Sequence, residues 1–113
     1  MTIALIAFGI AAVGGLVLAG IRFSGKPYPP LGLALVHGAF AAAGLVILLT
    51  ALGKDATSTL AWIALLLFLG AAGGGFVLFS QHWRKVALSR GLVVVHALVA
   101  VVAFVFLLIA SVG

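Results

Sequence analysis

Two histidines inside hydrophobic stretches are the residues of this sequence best suited to chemistry. His37 stands in the run LVHG and His96 in the run VVHA. Ionisable side chains within a membrane span are energetically costly and usually functional. Imidazole nitrogen is also a common metal ligand. The pair is therefore a candidate to ligate a metal-containing cofactor.

Other chemistries lack their side chains in this sequence. It contains no cysteine, which excludes disulfides, thiolate zinc sites, Cys-ligated iron–sulfur clusters and CxxCH haem attachment. The only acid is Asp55, which we expect to cap a helix, so hydrolysis by paired acids and proton-coupled transport have no carboxylate within a span. The third histidine, His82, is predicted to lie in an interfacial loop beside Trp83 and Arg84.

The elements that position the histidines are predicted to be membrane-spanning helices. Of the 113 residues, 66% are hydrophobic and 6% are charged, too few charges for the surface of a soluble domain. Four runs of roughly 20 apolar residues are long enough to cross a bilayer: 2–21, 31–52, 60–79 and 91–110. We predict an all-α integral membrane protein, a single transmembrane domain over 1–113, folded as an up-down-up-down four-helix bundle.

The basic residues predict the orientation of the chain. They are concentrated in the first and third connections, loop 1 (22–30) and loop 3 (80–90), whereas loop 2 (53–59) has only Lys54 beside Asp55. Lysine and arginine are enriched on the cytoplasmic side. Loops 1 and 3 are therefore predicted to be cytoplasmic, with both termini and loop 2 outside, in the cell (inner) membrane. The net charge of +5 is explained by topology, so nucleic-acid binding is not expected.

The sequence also contains an internal repeat. At an offset of 59 residues, His37 falls on His96, and several short motifs coincide: Gly14-Gly15 with Gly73-Gly74, Lys26 with Lys85, Gly32-Leu33 with Gly91-Leu92, and Leu48-Leu49 with Leu107-Leu108. We interpret the chain as two tandem helical hairpins, 1–54 and 60–113. Each copy has two spans, so both copies share one orientation in the membrane.

The repeat places the two histidines at one depth. Each lies about six residues into its helix, roughly 9 Å below the cytoplasmic surface. Parallel, diagonal helices allow the imidazoles to face each other across the bundle, with a haem iron between them. Gly14 and Gly15, and likewise Gly73 and Gly74, fall near this depth on the other two helices and are predicted to make room for the porphyrin.

Haem propionates would need partners at the nearer surface. Basic side chains and a phenol are available there, and they are the predicted partners: Lys26, Tyr28, Arg84, Lys85 and Arg90.

These features resemble four-helix membrane cytochromes b, a class that includes the cytochrome b561-like group and the haem b anchor subunits of respiratory complexes. The resemblance rests on His37 in LVHG, His96 in VVHA and the glycines at their level. It implies that histidines on two helices ligate haem b and that electrons pass to or from a quinone or a membrane redox partner. Two-haem members need a second histidine pair, which this sequence lacks, so one haem b is expected.

The leading prediction is a b-type cytochrome, an electron carrier rather than a complete enzyme, acting alone, as a homo-oligomer or as a subunit of a larger complex. Two alternatives stay open: a cofactor-free anchor or assembly subunit, and a pigment-binding membrane subunit. The histidines might serve only as a polar packing contact, bonded to the backbone or to each other. Small residues likewise allow membrane helices to pack closely without any cofactor.

Overall fold

The computed structural model describes residues 1–54 and 58–112. This part of the chain forms four α-helices: α1 (Thr2–Phe23), α2 (Leu31–Lys54), α3 (Thr59–Trp83) and α4 (Arg90–Val112). All four are long and apolar enough to cross a membrane. The predicted all-α four-helix membrane bundle is confirmed, and α3 runs one turn further than its apolar stretch.

The bundle is built from two tightly packed hairpins. α1 packs mainly on α2 and α3 mainly on α4, while weaker contacts between α1 and α4 and between α2 and α3 close the ring. The diagonal pairs are therefore α1 with α3 and α2 with α4. The molecule measures 43 × 21 × 19 Å, and its length accommodates helices of more than 20 residues at 1.5 Å per residue.

Local signals explain the helix boundaries. Pro30 precedes α2 and supplies a carbonyl to Ala34, as expected of a proline at a helix start. Ser58 caps α3 by accepting a hydrogen bond from the Ala61 N–H. The predicted capping role of Asp55 lies outside the described residues. At the other ends, Gly25 (φ +113°) follows α1 and Lys85 (φ +57°) follows α3, in the left-handed conformation that ends many helices.

The two ends of the bundle are packed differently. We call the end with loops 1 and 3 the basic end. Most fully buried side chains lie on the other side of the histidine level: Ala4, Phe8, Leu48, Leu52, Ala61, Ala64, Leu65, Phe68, Ala103 and Leu107. Within the spans between the histidines and the basic end, Val93 is the only buried side chain among the described residues. The interior beside the histidines is therefore loosely filled.

Candidate functional site

The structure brings His37 and His96 together across the bundle. Their ring centroids are 6.1 Å apart, with the planes at 79°, and they come from the diagonal helices α2 and α4. Two nitrogens on opposite sides of a metal ion, each about 2 Å from it, would put imidazole centroids about 6 Å apart. The spacing therefore suits a metal ion held between the rings.

Backbone carbonyls hold both imidazoles in the same way. Nδ1 of His37 lies 2.7 Å from the Ala11 carbonyl oxygen, and Nδ1 of His96 lies 2.7 Å from that of Ala71. A carbonyl only accepts, so Nδ1–H is the donor in each ring. In the neutral ring Nε2 then carries a lone pair, the form in which histidine binds metals.

Glycines on the neighbouring helices make room for these rings. A Cβ at Gly15 would lie 3.0 Å from Cε1 of His37, and one at Gly75 would lie 3.2 Å from Cε1 of His96. Gly14 and Gly74 face the β-carbons of the same histidines. The small residues therefore seat the imidazoles directly.

Gly73 does not take part in this contact. Nothing lies within 4 Å of a Cβ built on it, and Gly75 occupies the place that the 59-residue offset gives to Gly74. The register of α1 on α3 is thus 60 residues. Comparison at that offset matches Ile3-Ala4-Leu5 with Ile63-Ala64-Leu65 and Val17-Leu18 with Val77-Leu78. This signal was available in the sequence.

The 60-residue register also pairs two residues that the sequence did not connect, Arg22 and His82. His82 was expected in an interfacial loop, but it lies in the last turn of α3 and is buried. Its Nε2–H donates to the Pro29 carbonyl at 2.5 Å. Arg22 in the last turn of α1 donates from Nε to the Leu88 carbonyl at 2.9 Å. Each side chain therefore binds the loop of the other hairpin.

The backbone reinforces this crossed arrangement. The Leu88 N–H donates to the Pro27 carbonyl at 2.9 Å, so loops 1 and 3 are joined directly. Arg22 also donates from Nη1 to the Lys26 carbonyl. Together these bonds tie the two loops into a cover over the basic end of the bundle.

The predicted surface partners lie around this cover. Lys26, Arg84 and Arg90 are exposed, and Arg84 donates from Nε to Ser80 in its own helix. Tyr28 lies edge-on to the His82 ring, with centroids 5.3 Å apart. Tyr28 also lines an open pocket of about 280 Å³ with Trp83 and Lys85 among its other walls. None of these side chains reaches the His37 and His96 rings.

Fold and site together define a membrane-spanning four-helix bundle with a pseudo-symmetric pair of histidines at its centre. Comparison of the chain with protein-family models, curated proteins and solved structures finds no match. Its function is therefore argued from the site alone.

Proposed function

We propose that the chain is a membrane b-type cytochrome, in which His37 and His96 ligate one haem b and electrons are exchanged with a quinone or a partner subunit. The observation that carries the proposal is the placement of two imidazoles at 6.1 Å between centroids. Both are fixed through Nδ1 on a carbonyl, which leaves Nε2 for the iron.

The residues around the histidines fit haem in two respects. The donor pair suits two axial positions of an iron. The spans between the histidines and the basic end contain a single buried side chain among the described residues, so a flat ligand there would cover surfaces now only partly buried. The opposite side is closed by Phe8 and Phe68, whose stacked rings lie 3.8 Å apart. The macrocycle is thus proposed to extend toward the basic end.

In this function the chain itself does three things. Ala11 and Ala71 orient the imidazoles through their carbonyls, Gly15 and Gly75 set how closely the rings approach the helices, and the apolar spans exclude water. Haem with two axial histidines supplies a reversible one-electron couple without an open iron position, which favours electron transfer over oxygen chemistry.

Exchange with a redox partner is proposed to occur at the basic end. The pocket beside Tyr28, Trp83 and Lys85 has a volume of about 280 Å³ and is walled by aromatic side chains, which suits a flat ring such as a quinone. This end is proposed to face the cytoplasm, because the connections there carry most of the positive charge.

The visible spectrum of purified protein tests this function. We expect a Soret band with split α and β bands on reduction. His37→Ala and His96→Ala should each abolish the low-spin spectrum, whereas His82→Gln, the matched control, should keep it. If either of the first two variants retains full low-spin haem, the axial assignment is wrong.

A cofactor-free anchor or assembly subunit is the second candidate. It is favoured by the fact that both imidazoles already donate to carbonyls and fit against glycines, so the pair is also a sound packing contact. Protein expressed with ample haem that shows no visible absorbance would support this alternative. A far-red band would instead indicate a pigment-binding subunit.

A further inference from the structure

The basic end contains two buried basic side chains at equivalent positions of the two hairpins. Arg22 is 9% exposed and His82 is 7% exposed, whereas Lys26, Arg84, Lys85 and Arg90 are exposed. Both terminate a helix, where the macrodipole favours positive charge. No acidic side chain among the described residues accompanies them, since the only acid of the sequence is Asp55.

The hydrogen-bonding capacity of these two groups is not used up. Arg22 binds carbonyls through Nε and Nη1, and a guanidinium has five N–H donors. In His82, Nε2 is bonded to Pro29. Its Nδ1 is buried without a hydrogen-bond partner within the described part of the chain. Buried polar atoms without partners are rare in native proteins and call for an explanation. An anionic ligand supplies one.

The distance from the histidine level suits the carboxylates of haem. Gly15 and Gly75 mark that level, and Arg22 and His82 each lie seven residues further along the same helix, roughly 10 Å. This is the scale on which the propionates of haem b extend from its iron. The directions also agree: with ligands on α2 and α4, the edges of the macrocycle face α1 and α3, which carry Arg22 and His82.

We propose that Arg22 and His82 bind the two propionates of the haem, one each. This inference rests on the proposed function and replaces the exposed cations predicted from the sequence. Arg22 donates from a free guanidinium N–H. His82 donates from Nδ1 once its ring is protonated, while its Nε2–H stays on Pro29. A charge-assisted hydrogen bond is about twice as strong as a neutral one.

Haem b and its dimethyl ester, which lacks both carboxylates, test the inference. Their affinities are measured on the full-length protein in detergent, by transfer to apomyoglobin. Wild type is expected to bind haem b at least tenfold more tightly than the ester. Arg22→Gln and His82→Gln should each weaken haem b binding by about tenfold or more and leave ester binding unchanged. The matched controls Arg84→Gln and Arg90→Gln should alter neither affinity.

The ester also reports on folding. His82→Gln keeps an amide N–H near the position of Nε2, so its bond to Pro29 can persist, and Arg22→Lys keeps the charge. A misfolded variant would lose haem b and ester together. The inference is overturned if wild type shows no preference for haem b, or if the preference survives in both glutamine variants. In those cases a low-spin spectrum dependent on His37 and His96 leaves the proposed function standing. Failure of wild type to bind either compound overturns both.

Discussion

Phe8 on α1 and Phe68 on α3 stack face to face across the diagonal of the bundle, with ring centroids 3.8 Å apart and planes 2° from parallel. The two residues are equivalent in the 60-residue register of these helices. They fill the bundle interior one turn away from Ala11 and Ala71, whose carbonyls bind the histidines. The tightly packed half of the molecule therefore begins next to the candidate site.

Replacing Gly44 with alanine is expected to destabilise the bundle. A Cβ at this position would lie 2.8 Å from Cε1 of Phe8, and the stack on Phe68 prevents that ring from moving away. Overpacking of this kind costs roughly 1–3 kcal/mol. Unfolding of the detergent-solubilised protein measures the change. Gly38→Ala on the same helix is the control, because no atom lies within 4 Å of its Cβ; equal effects of the two substitutions would contradict the packing described here.

The three histidines are expected to adopt two different tautomers when neutral. His37 and His96 donate from Nδ1, so their Nδ1 atoms should carry the proton. His82 donates from Nε2 to Pro29, so its Nε2 should carry it. Nitrogen NMR of 15N-histidine protein distinguishes protonated from unprotonated ring nitrogens, and single His→Gln variants assign the signals. A common tautomer for all three rings would refute the hydrogen bonds.

Alanine at Gly15 should displace His37 more than alanine at Gly75 displaces His96. The added Cβ would lie 3.0 Å from the ring in the first case and 3.2 Å in the second. We expect a shift of the Nδ1 resonance and a loss of stability of roughly 1–3 kcal/mol for Gly15→Ala, with a smaller loss for Gly75→Ala. Gly73→Ala is the matched control, since its Cβ would contact nothing within 4 Å. If Gly73→Ala perturbs His96 as strongly as Gly75→Ala does, the register is wrong.

Single cysteines test the proposed orientation, because the natural sequence has none. Lys26→Cys and Lys54→Cys introduce exposed thiols at opposite ends of the bundle. An impermeant maleimide applied to intact cells should label position 54 and spare position 26, and inverted vesicles should show the reverse. Labelling of position 26 in intact cells would place loop 1 outside.

Much of the fold was predictable because hydrophobic length and loop charge act locally. The spans, the start of α2 at Pro30 and the cap at Ser58 follow from such signals. The repeat register was not, since loop 1 covers 24–30 between α1 and α2 while loop 3 covers 84–89 between α3 and α4. The one-residue difference shifts α1 on α3 relative to α2 on α4, so an offset fixed by His37 and His96 misplaces Gly73.

The packing residues were hidden for a different reason. In a span where almost every residue is apolar, hydrophobicity does not distinguish a lipid-facing side chain from an inward one. Phe8 and Phe68 were therefore indistinguishable from exposed neighbours such as Phe76. Arg22 and His82 were missed because their carbonyl partners belong to the distant loops of the other hairpin.

The concentration of buried side chains away from the basic end also divides the molecule in stability. Local opening needs the least free energy where few apolar contacts are lost, so backbone amides near loops 1 and 3 should exchange with deuterium before those near Leu48 and Leu107. The bundle could then loosen at one end while the other stays folded. That would allow a ligand as broad as a tetrapyrrole to enter without unfolding the protein.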